Sequence, residues 1–250
     1  MRFNLDELIE KLFSKKLFKK EIKGNILLNL SLQLRHLIIT YKNFVIFGGA
    51  VIIVIIIGIG IYINNYEKNV NEANKWFESS LFIYRRAFLE QKLTTEERMQ
   101  SIQESINRFQ YVINTFPNTP LKYDALMYQG NAYFEIGDYN NALQKYQQII
   151  DEKANFYFAD FILINIAKCY EQLSNIQAAV DTYNKIIKNY KKKPNIANAM
   201  FNLGKIYELS NKINEAFQMY QQLIQQFPYS VWSQEARRRI LFLQTLARPK

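Results

Sequence analysis

The sequence predicts an all-α protein in which a helical solenoid with a 37-residue period follows one N-terminal transmembrane helix. The first observation is that small and aromatic residues recur 37 positions apart in three copies. The recurring sets are Gly130, Ala167 and Gly204; Tyr133, Tyr170 and Tyr207; Ala142, Ala179 and Ala216; and Tyr146, Tyr183 and Tyr220. A repeat period in this range is typical of helical solenoids. The second observation is an uncharged run rich in Ile and Val, Phe44–Ile63, which is long enough to cross a membrane.

Each repeat is predicted to consist of two helices joined by a tight turn. In the first copy Gly130 precedes Tyr133 by three residues and Ala142 precedes Tyr146 by four, and these spacings place residues on one helix face. A polar break separates the two pairs in every copy, at 137–140, 174–175 and 210–212. Because such a unit leaves one apolar face uncovered, we expect its stability to come from stacking on its neighbours.

These positions resemble the tetratricopeptide repeat. That family has a small residue at unit position eight, an aromatic at eleven, alanine at twenty and an aromatic at twenty-four, which are Gly130, Tyr133, Ala142 and Tyr146 in the first copy. The third copy also has the family's proline at position thirty-two, Pro228. The period of this chain is longer than the ~34 residues of the standard repeat. The resemblance implies a right-handed solenoid that binds protein partners.

In this family the first helix of each unit lines a concave groove, so the resemblance also implies a partner-binding groove. The implied groove residues are Tyr128, Asn131 and Glu135 in the first unit, Phe161, Asn165 and Lys168 in the second, and Asn198, Phe201, Asn202 and Lys205 in the third. Amides can bond to a backbone and rings can bury side chains, so this surface suits an extended peptide or a helix. The family's clamp for C-terminal carboxylates is not expected, because basic residues are missing at the corresponding positions, Met127 and Asn198 among them.

Residues 1–42 are predicted to form a basic head. Asn4 and Glu7 have the spacing of a capping box, and the residues that follow place leucines on one helix face and lysines on the other. A basic amphipathic helix of this kind can lie on an anionic membrane surface or pack on a partner protein, and both alternatives stay open. The pattern over 25–40 fits a strand through its alternating leucines, and equally a helix.

The apolar run is predicted to be a single uncleaved transmembrane helix within 43–66. As a helix with ~1.5 Å rise per residue, Phe44–Ile63 would span ~30 Å, the thickness of the hydrocarbon core. Lys and Arg are more frequent before the run than after it, which favours a cytoplasmic N-terminus. The repeats are then expected outside the cytoplasm. In a double-membraned bacterium the chain would be a single-pass inner-membrane protein with a periplasmic repeat domain.

The remaining segments extend the solenoid at both ends. Residues 67–117 are predicted to contain a helix over Val70–Gln91, a second helix beginning at Thr94–Glu97, and a degenerate repeat. Residues 118–250 then contain the three clear repeats and a C-terminal capping helix over Ser233–Ala247. The arginines of this capping helix are predicted to face solvent; they are Arg237, Arg238 and Arg239.

The residue types present predict a protein that is not an enzyme and has no cofactor or metal. One histidine and one cysteine exclude a Cys/His pair within the repeats and the usual zinc clusters. The cysteine, Cys169, is expected to be a small buried hydrophobe. The net charge of +10 is not gathered into a Lys/Arg stripe, so a nucleic-acid partner is not expected.

The order of basic head, single anchor and repeat domain resembles bacterial envelope proteins of the YfgM type. The resemblance implies a scaffold that binds a partner envelope protein through the groove and stabilises or assembles it. One alternative is an ancillary role in protein secretion or insertion, or in a periplasmic chaperone network. A second alternative is that the basic head docks on lipid or on a cytoplasmic complex.

Overall fold

The computed structural model describes residues 25–153, 155–190 and 195–246, and within these ranges it contains helices and no strand. The helices are α1 (Asn25–Thr40), α2 (Lys42–Leu89), α3 (Thr95–Thr115), α4 (Leu121–Glu135), α5 (Tyr139–Glu152), α6 (Ala159–Gln172), α7 (Ile176–Asn189), α8 (Ile196–Leu209), α9 (Ile213–Gln226) and α10 (Val231–Leu246). The chain divides into two compact units, Met1–Ile63 and Asn64–Lys250. The capping box predicted at Asn4–Glu7 and the amphipathic helix after it lie outside the described residues.

The segment whose pattern fits either a strand or a helix forms a helix, α1. Helix α2 begins at Lys42 and continues for 48 residues. Among the residues that the structure describes, α2 is the one helix that is long and apolar enough to cross a membrane, judged by length and composition. The helix predicted over Val70–Gln91 is not a separate helix but the C-terminal part of α2, which ends at Leu89. Residues 64–69 are polar but contain neither glycine nor proline, so nothing in them ends the helix.

The second unit is a stack of helices in which each helix from α3 to α10 packs on the next. The three clear repeats are the pairs α4–α5, α6–α7 and α8–α9, and the predicted all-α solenoid is thereby confirmed. Before them, the C-terminal part of α2 packs on α3: the ring centroids of Phe77 and Phe109 are 5.9 Å apart, and those of Trp76 and Tyr111 are 4.6 Å apart. After them, α10 packs on α9 and α8.

The start of α3 is confirmed at Thr94–Glu97. The Thr94 hydroxyl accepts a hydrogen bond from the Glu97 backbone N–H at 3.2 Å, and the Glu97 carboxylate accepts one from the Thr94 N–H at 2.8 Å. The two bonds form a complete capping box, which satisfies backbone donors that the first helical turn leaves without partners. The Thr94 hydroxyl also donates to the Glu97 carboxylate at 2.9 Å, and the two hydrogen bonds that this carboxylate accepts from Thr94 lower the pKa of Glu97.

The recurring tyrosines on the second helices, Tyr146, Tyr183 and Tyr220, form the centre of the repeat core. They are called the recurring tyrosines below. The largest fully buried side chains include Tyr146, Tyr183 and Tyr220. A Cβ added to Gly130 would lie 2.7 Å from Cε1 of Tyr146, and one added to Gly204 would lie 2.6 Å from Cε1 of Tyr220. The second repeat has a fully buried alanine at this position, Ala167. The recurring small residue therefore marks the place where the two helices of a repeat touch.

The turn between the two helices of each repeat contains one residue with a left-handed backbone. These residues are also 37 positions apart: Gly137 (φ +81°), Ser174 (φ 59°) and Asn211 (φ 60°). In the first repeat the Gly137 N–H donates to the Phe134 carbonyl at 3.1 Å and the Asp138 N–H to the Tyr133 carbonyl at 2.9 Å. This pair of bonds is the Schellman motif, and the other two repeats have the same pair. Glycine adopts the left-handed conformation without strain, whereas serine does not.

Exchanging the turn residues of the first two repeats should therefore change stability in opposite directions. Ser174→Gly removes the strain of a side chain in the left-handed region and should raise the free energy of unfolding by up to about 1 kcal/mol. Gly137→Ser introduces that strain and should lower it by about 1 kcal/mol. Urea denaturation of the full-length chain in detergent, followed by far-UV circular dichroism, measures both. Changes of the same sign would contradict the assignment of the strain to this position.

Candidate protein-binding groove

The predicted groove residues lie on the first helices of the three repeats, α4, α6 and α8. Two of them, Glu135 and Lys205, are exposed. One, Asn165, is buried with 8 % of its surface exposed. The others are half-buried: Tyr128, Asn131, Phe161, Lys168, Asn198, Phe201 and Asn202. The predicted set is therefore not one uniform surface, and its members differ in what they contact.

Two of the amides bond to each other and to a core tyrosine. The Tyr146 hydroxyl donates to Oδ1 of Asn131 at 2.6 Å, and Nδ2 of Asn165 donates to the same oxygen at 3.4 Å. These bonds join α4 to α5, the second helix of the same repeat, and to α6, the first helix of the next repeat. The amides of Asn131 and Asn165 thus hold repeats together, and their capacity to bond a partner backbone is correspondingly reduced.

Two of the predicted groove rings are also packed against other rings. The Tyr128 ring stacks on Phe109 at 5.9 Å between centroids and meets Phe77 and Tyr84 edge-on, each at 5.8 Å. Phe201 lies 5.8 Å from Tyr220 and 5.3 Å from Trp232 of α10. Aromatic pairs at these separations stabilise a fold beyond the area that they bury. Tyr128 and Phe201 therefore contribute to the stack itself.

The third repeat contains one further pair within the set. Nδ2 of Asn202 donates to Oδ1 of Asn198 at 2.5 Å and to its backbone carbonyl at 3.0 Å. Both residues lie on α8, one helical turn apart. The three charged groove residues have no side-chain ion pair or hydrogen bond within the described structure: Glu135 and Lys205 are exposed, and Lys168 is half-buried.

A recurring pair, formed by a glutamate on the first helix and a tyrosine on the second helix of a repeat, was not predicted from the sequence. The Tyr183 hydroxyl donates to Oε1 of Glu171 at 2.6 Å, and the Tyr220 hydroxyl donates to Oε2 of Glu208 at 3.1 Å. Glu171 and Glu208 are 37 residues apart, and each precedes its tyrosine by twelve. The signal was therefore present in the sequence. The first repeat has Phe134 at the corresponding position, and there the tyrosine bonds to Asn131 instead.

The prediction that all three arginines of the capping helix face solvent is wrong for one of them. Arg237 and Arg238 are exposed. Arg239 donates from Nε to Oε2 of Glu208 at 3.0 Å, and its Nη2 bonds to the other oxygen, Oε1. Successive residues on a helix point about 100° apart, so neighbouring arginines need not share a face. Arg239 joins α10 to the end of α8.

The environment of the recurring tyrosines raises their pKa values. Burial is the first cause at Tyr146, Tyr183 and Tyr220. The carboxylate of Glu171 raises the pKa of Tyr183 further, and that of Glu208 does the same at Tyr220. In the unfolded chain a tyrosine titrates near pH 10. Above that pH only the unfolded state releases these protons. The contribution of the three protonated hydroxyls to the free energy of unfolding is therefore fully present below about pH 10, and it is lost as the pH rises towards the folded-state pKa.

The urea midpoint of unfolding should therefore fall steeply above about pH 10. The fall should be shallower in Tyr183→Phe, because one of the three buried hydroxyls is then absent. Denaturation curves of the two proteins at several values between about pH 8 and 11 measure the difference. An identical pH dependence in both would mean that Tyr183 does not titrate differently in the folded and unfolded states.

The side chains suited to nucleophilic or metal chemistry are few. Cys169 is fully buried, as predicted, and burial raises the pKa of its thiol to about 12, so it is uncharged at neutral pH. Among the described residues there is no group of three or more His, Cys, Asp or Glu side chains that could hold a metal ion.

Comparison with known proteins identifies the repeats. Residues 124–152 and 161–228 match family models of the tetratricopeptide repeat, so the chain contains tetratricopeptide repeats. Such repeats generally bind protein partners and are generally not catalytic. The tetratricopeptide repeat fold suggests a protein–protein interaction scaffold.

Solved structures give the same fold. A tetratricopeptide repeat protein from Parabacteroides merdae has a TM-score of 0.50 and 16% identity, over 72% of this chain and 60% of that chain. A putative kinesin light chain from Podosopora anserina, with nearly identical TPR-like repeats, has a TM-score of 0.54 and 12% identity, over 70% of this chain and 85% of that chain. The chain thus spans less than two thirds of the Parabacteroides merdae protein. Identities this low show the fold alone. No curated protein sequence matches the chain.

Proposed function

We propose that the chain is a membrane-anchored scaffold that binds an envelope protein on the first helices of its repeats. The observation that carries the proposal is a division among the groove residues. Asn131, Asn165 and Phe201 make contacts within the stack of helices. Lys168 and Lys205 are 37 residues apart and so occupy the same position in consecutive repeats, where at least part of each side chain is in contact with solvent. Repeating charges on a rigid stack suit recognition of a partner that follows the repeats, such as an extended peptide or a helix.

The anchor in this proposal is Phe44–Ile63 within α2. Its support is the length and apolar composition of that helix. The excess of Lys and Arg before the run favours a cytoplasmic N-terminus and a repeat domain on the other side of the membrane. The proposed location is the inner membrane, with the repeats in the periplasm.

Site-specific photo-crosslinking in cells tests the groove. The crosslinking residue is placed at Lys205, which is exposed on the first helix α8, and the matched control is Lys188, which is exposed on the second helix α7. Asn165 is a poor position because its side chain is buried. A single adduct from Lys205 that is absent from Lys188 supports a dedicated partner. A smear of adducts would indicate transient clients, as in secretion or chaperone work, and an adduct from Lys188 alone would assign binding to the opposite face.

Fractionation and protease accessibility test the anchor and the topology. The chain should stay with membranes during alkaline carbonate extraction. In spheroplasts, added protease should digest the repeats and leave residues 1–42 protected. Release of the chain into the soluble fraction would remove the anchor from the proposal, and protection of the repeats would reverse the orientation.

A further inference from the structure

One carboxylate at the end of the stack binds an arginine from the next helix. Glu208 lies near the end of α8, and 9 % of its side-chain surface is exposed. Both of its oxygens bond to the Arg239 guanidinium, and the Tyr220 hydroxyl donates to Oε2 at 3.1 Å. Two-pronged pairing of a guanidinium with a carboxylate is among the stronger polar interactions in proteins. The Glu208–Tyr220 pair is thus a built receptor for an arginine side chain.

The same pair recurs one repeat earlier without the arginine. Glu171 and Tyr183 are bonded at 2.6 Å and lie 37 residues before Glu208 and Tyr220. The residue 37 positions before Arg239 is Asn202. Its side chain is too short to repeat the contact, and its amide donates to Asn198 on its own helix.

No ion pair to Glu171 occurs within the described parts of the chain. Lys168 lies one turn earlier on α6, and Lys205 is the nearest lysine along α8 to Asn202, yet neither forms an ion pair with Glu171. The Tyr183 hydroxyl bonds to only one of the two Glu171 carboxylate oxygens, Oε1, and Glu171 is half-buried. A carboxylate held in place with one oxygen unbonded attracts a cation more strongly than a fully solvated one, because the surrounding protein screens the charge less than water does.

We propose that Glu171 and Tyr183 bind an arginine side chain of the partner protein, in the place that Arg239 fills at Glu208. The inference rests on the proposed function, and it adds the chemistry of one contact. Arginine fits better than lysine because its planar guanidinium bonds both carboxylate oxygens at once. The site occurs once in the three clear repeats, because the first repeat has Phe134 in place of the glutamate and the third is filled by Arg239.

The first test asks whether the site accepts a guanidinium, and needs no partner. Asn202→Arg places an arginine at the position equivalent to Arg239, so it should raise the urea midpoint of the full-length chain in detergent. The rise should disappear when Glu171→Gln is also present, because the neutral amide removes the ion pair. A midpoint that does not rise, or that rises equally in the Glu171→Gln background, would overturn the inference.

The second test asks what the site binds. A phage-displayed library of random peptides is selected on the full-length protein, on Asn202→Arg, on Glu171→Gln, and on Glu215→Gln as a control that removes an exposed carboxylate of the second helix α9. The wild type and the control should enrich peptides with arginine at one fixed position, and the other two variants should not. Replacing that arginine by lysine should weaken binding by about tenfold, which corresponds to about 1.4 kcal/mol.

The failures of the two proposals can be told apart in this selection. Peptides that bind the wild type without an arginine preference, or that bind Asn202→Arg equally well, would overturn the arginine site and leave the scaffold proposal in place. If the wild type enriches no peptide above the bare support, peptide binding by the groove and the arginine site both fail.

Discussion

Replacing Tyr183 with alanine is expected to lower the free energy of unfolding by about 3–5 kcal/mol, the cost typical of removing a buried aromatic ring. Tyr183 is fully buried in the second repeat, and its hydroxyl bonds to Glu171. Neighbouring repeats in a solenoid stabilise each other through their interfaces, so a cavity in the middle repeat weakens the contacts of both flanking repeats. Guanidinium denaturation of the full-length chain, followed by far-UV circular dichroism, measures the loss and shows whether one transition separates into two.

Two control variants separate the ring from the hydroxyl and from its surroundings. Tyr183→Phe keeps the ring and should cost only about 1 kcal/mol, the net value of an ordinary hydrogen bond. Tyr170→Ala removes a half-buried ring of the same repeat and should cost less than Tyr183→Ala. If Tyr183→Ala costs no more than Tyr183→Phe, the ring is not what holds the repeat together.

The fold was predictable because the contacts between the two helices of a repeat are the same in all three copies. Gly130 and Tyr146 touch, and so do their equivalents Gly204 and Tyr220. Each contact restricts both partners to a narrow choice of residue, and this restriction appears in the sequence as recurring columns. A recurring position predicts structure well when its residue makes a direct buried contact, because few other side chains fit in the space between the two helices.

Local backbone features were predictable only in part. The polar turns were predicted, but the left-handed residue in each turn was not. Two of the three turns have Ser174 and Asn211 at this position instead of glycine, the residue that would have indicated a left-handed conformation. The alternating leucines of α1 have the period of a strand, and periodicity over so short an apolar segment does not separate strand from helix. The change from apolar to polar residues at 64 does not end a helix, since α2 continues through it to Leu89.

The burial and contacts of the predicted groove residues could not be predicted from the sequence, because accessibility depends on neighbours far along the chain. Position within a repeat placed Asn131 and Asn165 on the first helices, yet their hydrogen bonds run to Tyr146 and to each other, over 15 and 34 residues. Periodicity on one helix does not contain that information. Arg239 was assigned to solvent together with Arg237 and Arg238 for the same reason, since its partner Glu208 lies 31 residues earlier.

Replacing Gly204 with valine should lower the free energy of unfolding by about 3 kcal/mol, at the upper end of what overpacking costs. The first atom added to Gly204 would already lie 2.6 Å from Cε1 and 2.9 Å from Cδ1 of Tyr220. The Tyr220 ring is held in place, because its hydroxyl bonds to Glu208 at 3.1 Å and its centroid lies 5.8 Å from that of Phe201. The helices themselves must therefore separate. Gly204→Ala should cost less, since the second repeat accommodates Ala167 at the same position and alanine favours the helix by about 1 kcal/mol over glycine.

A double-mutant cycle shows whether the loss arises from the Gly204–Tyr220 contact. Tyr220→Leu alone removes part of a buried ring and leaves space beside Gly204. In the Gly204→Val, Tyr220→Leu double variant the valine methyls enter that space, so the double variant should lose less than the sum of the single losses by about 1 kcal/mol or more. Chemical denaturation of the four proteins gives the coupling. Strict additivity would mean that the two side chains do not meet, and that the recurring glycine serves the helix backbone rather than the tyrosine.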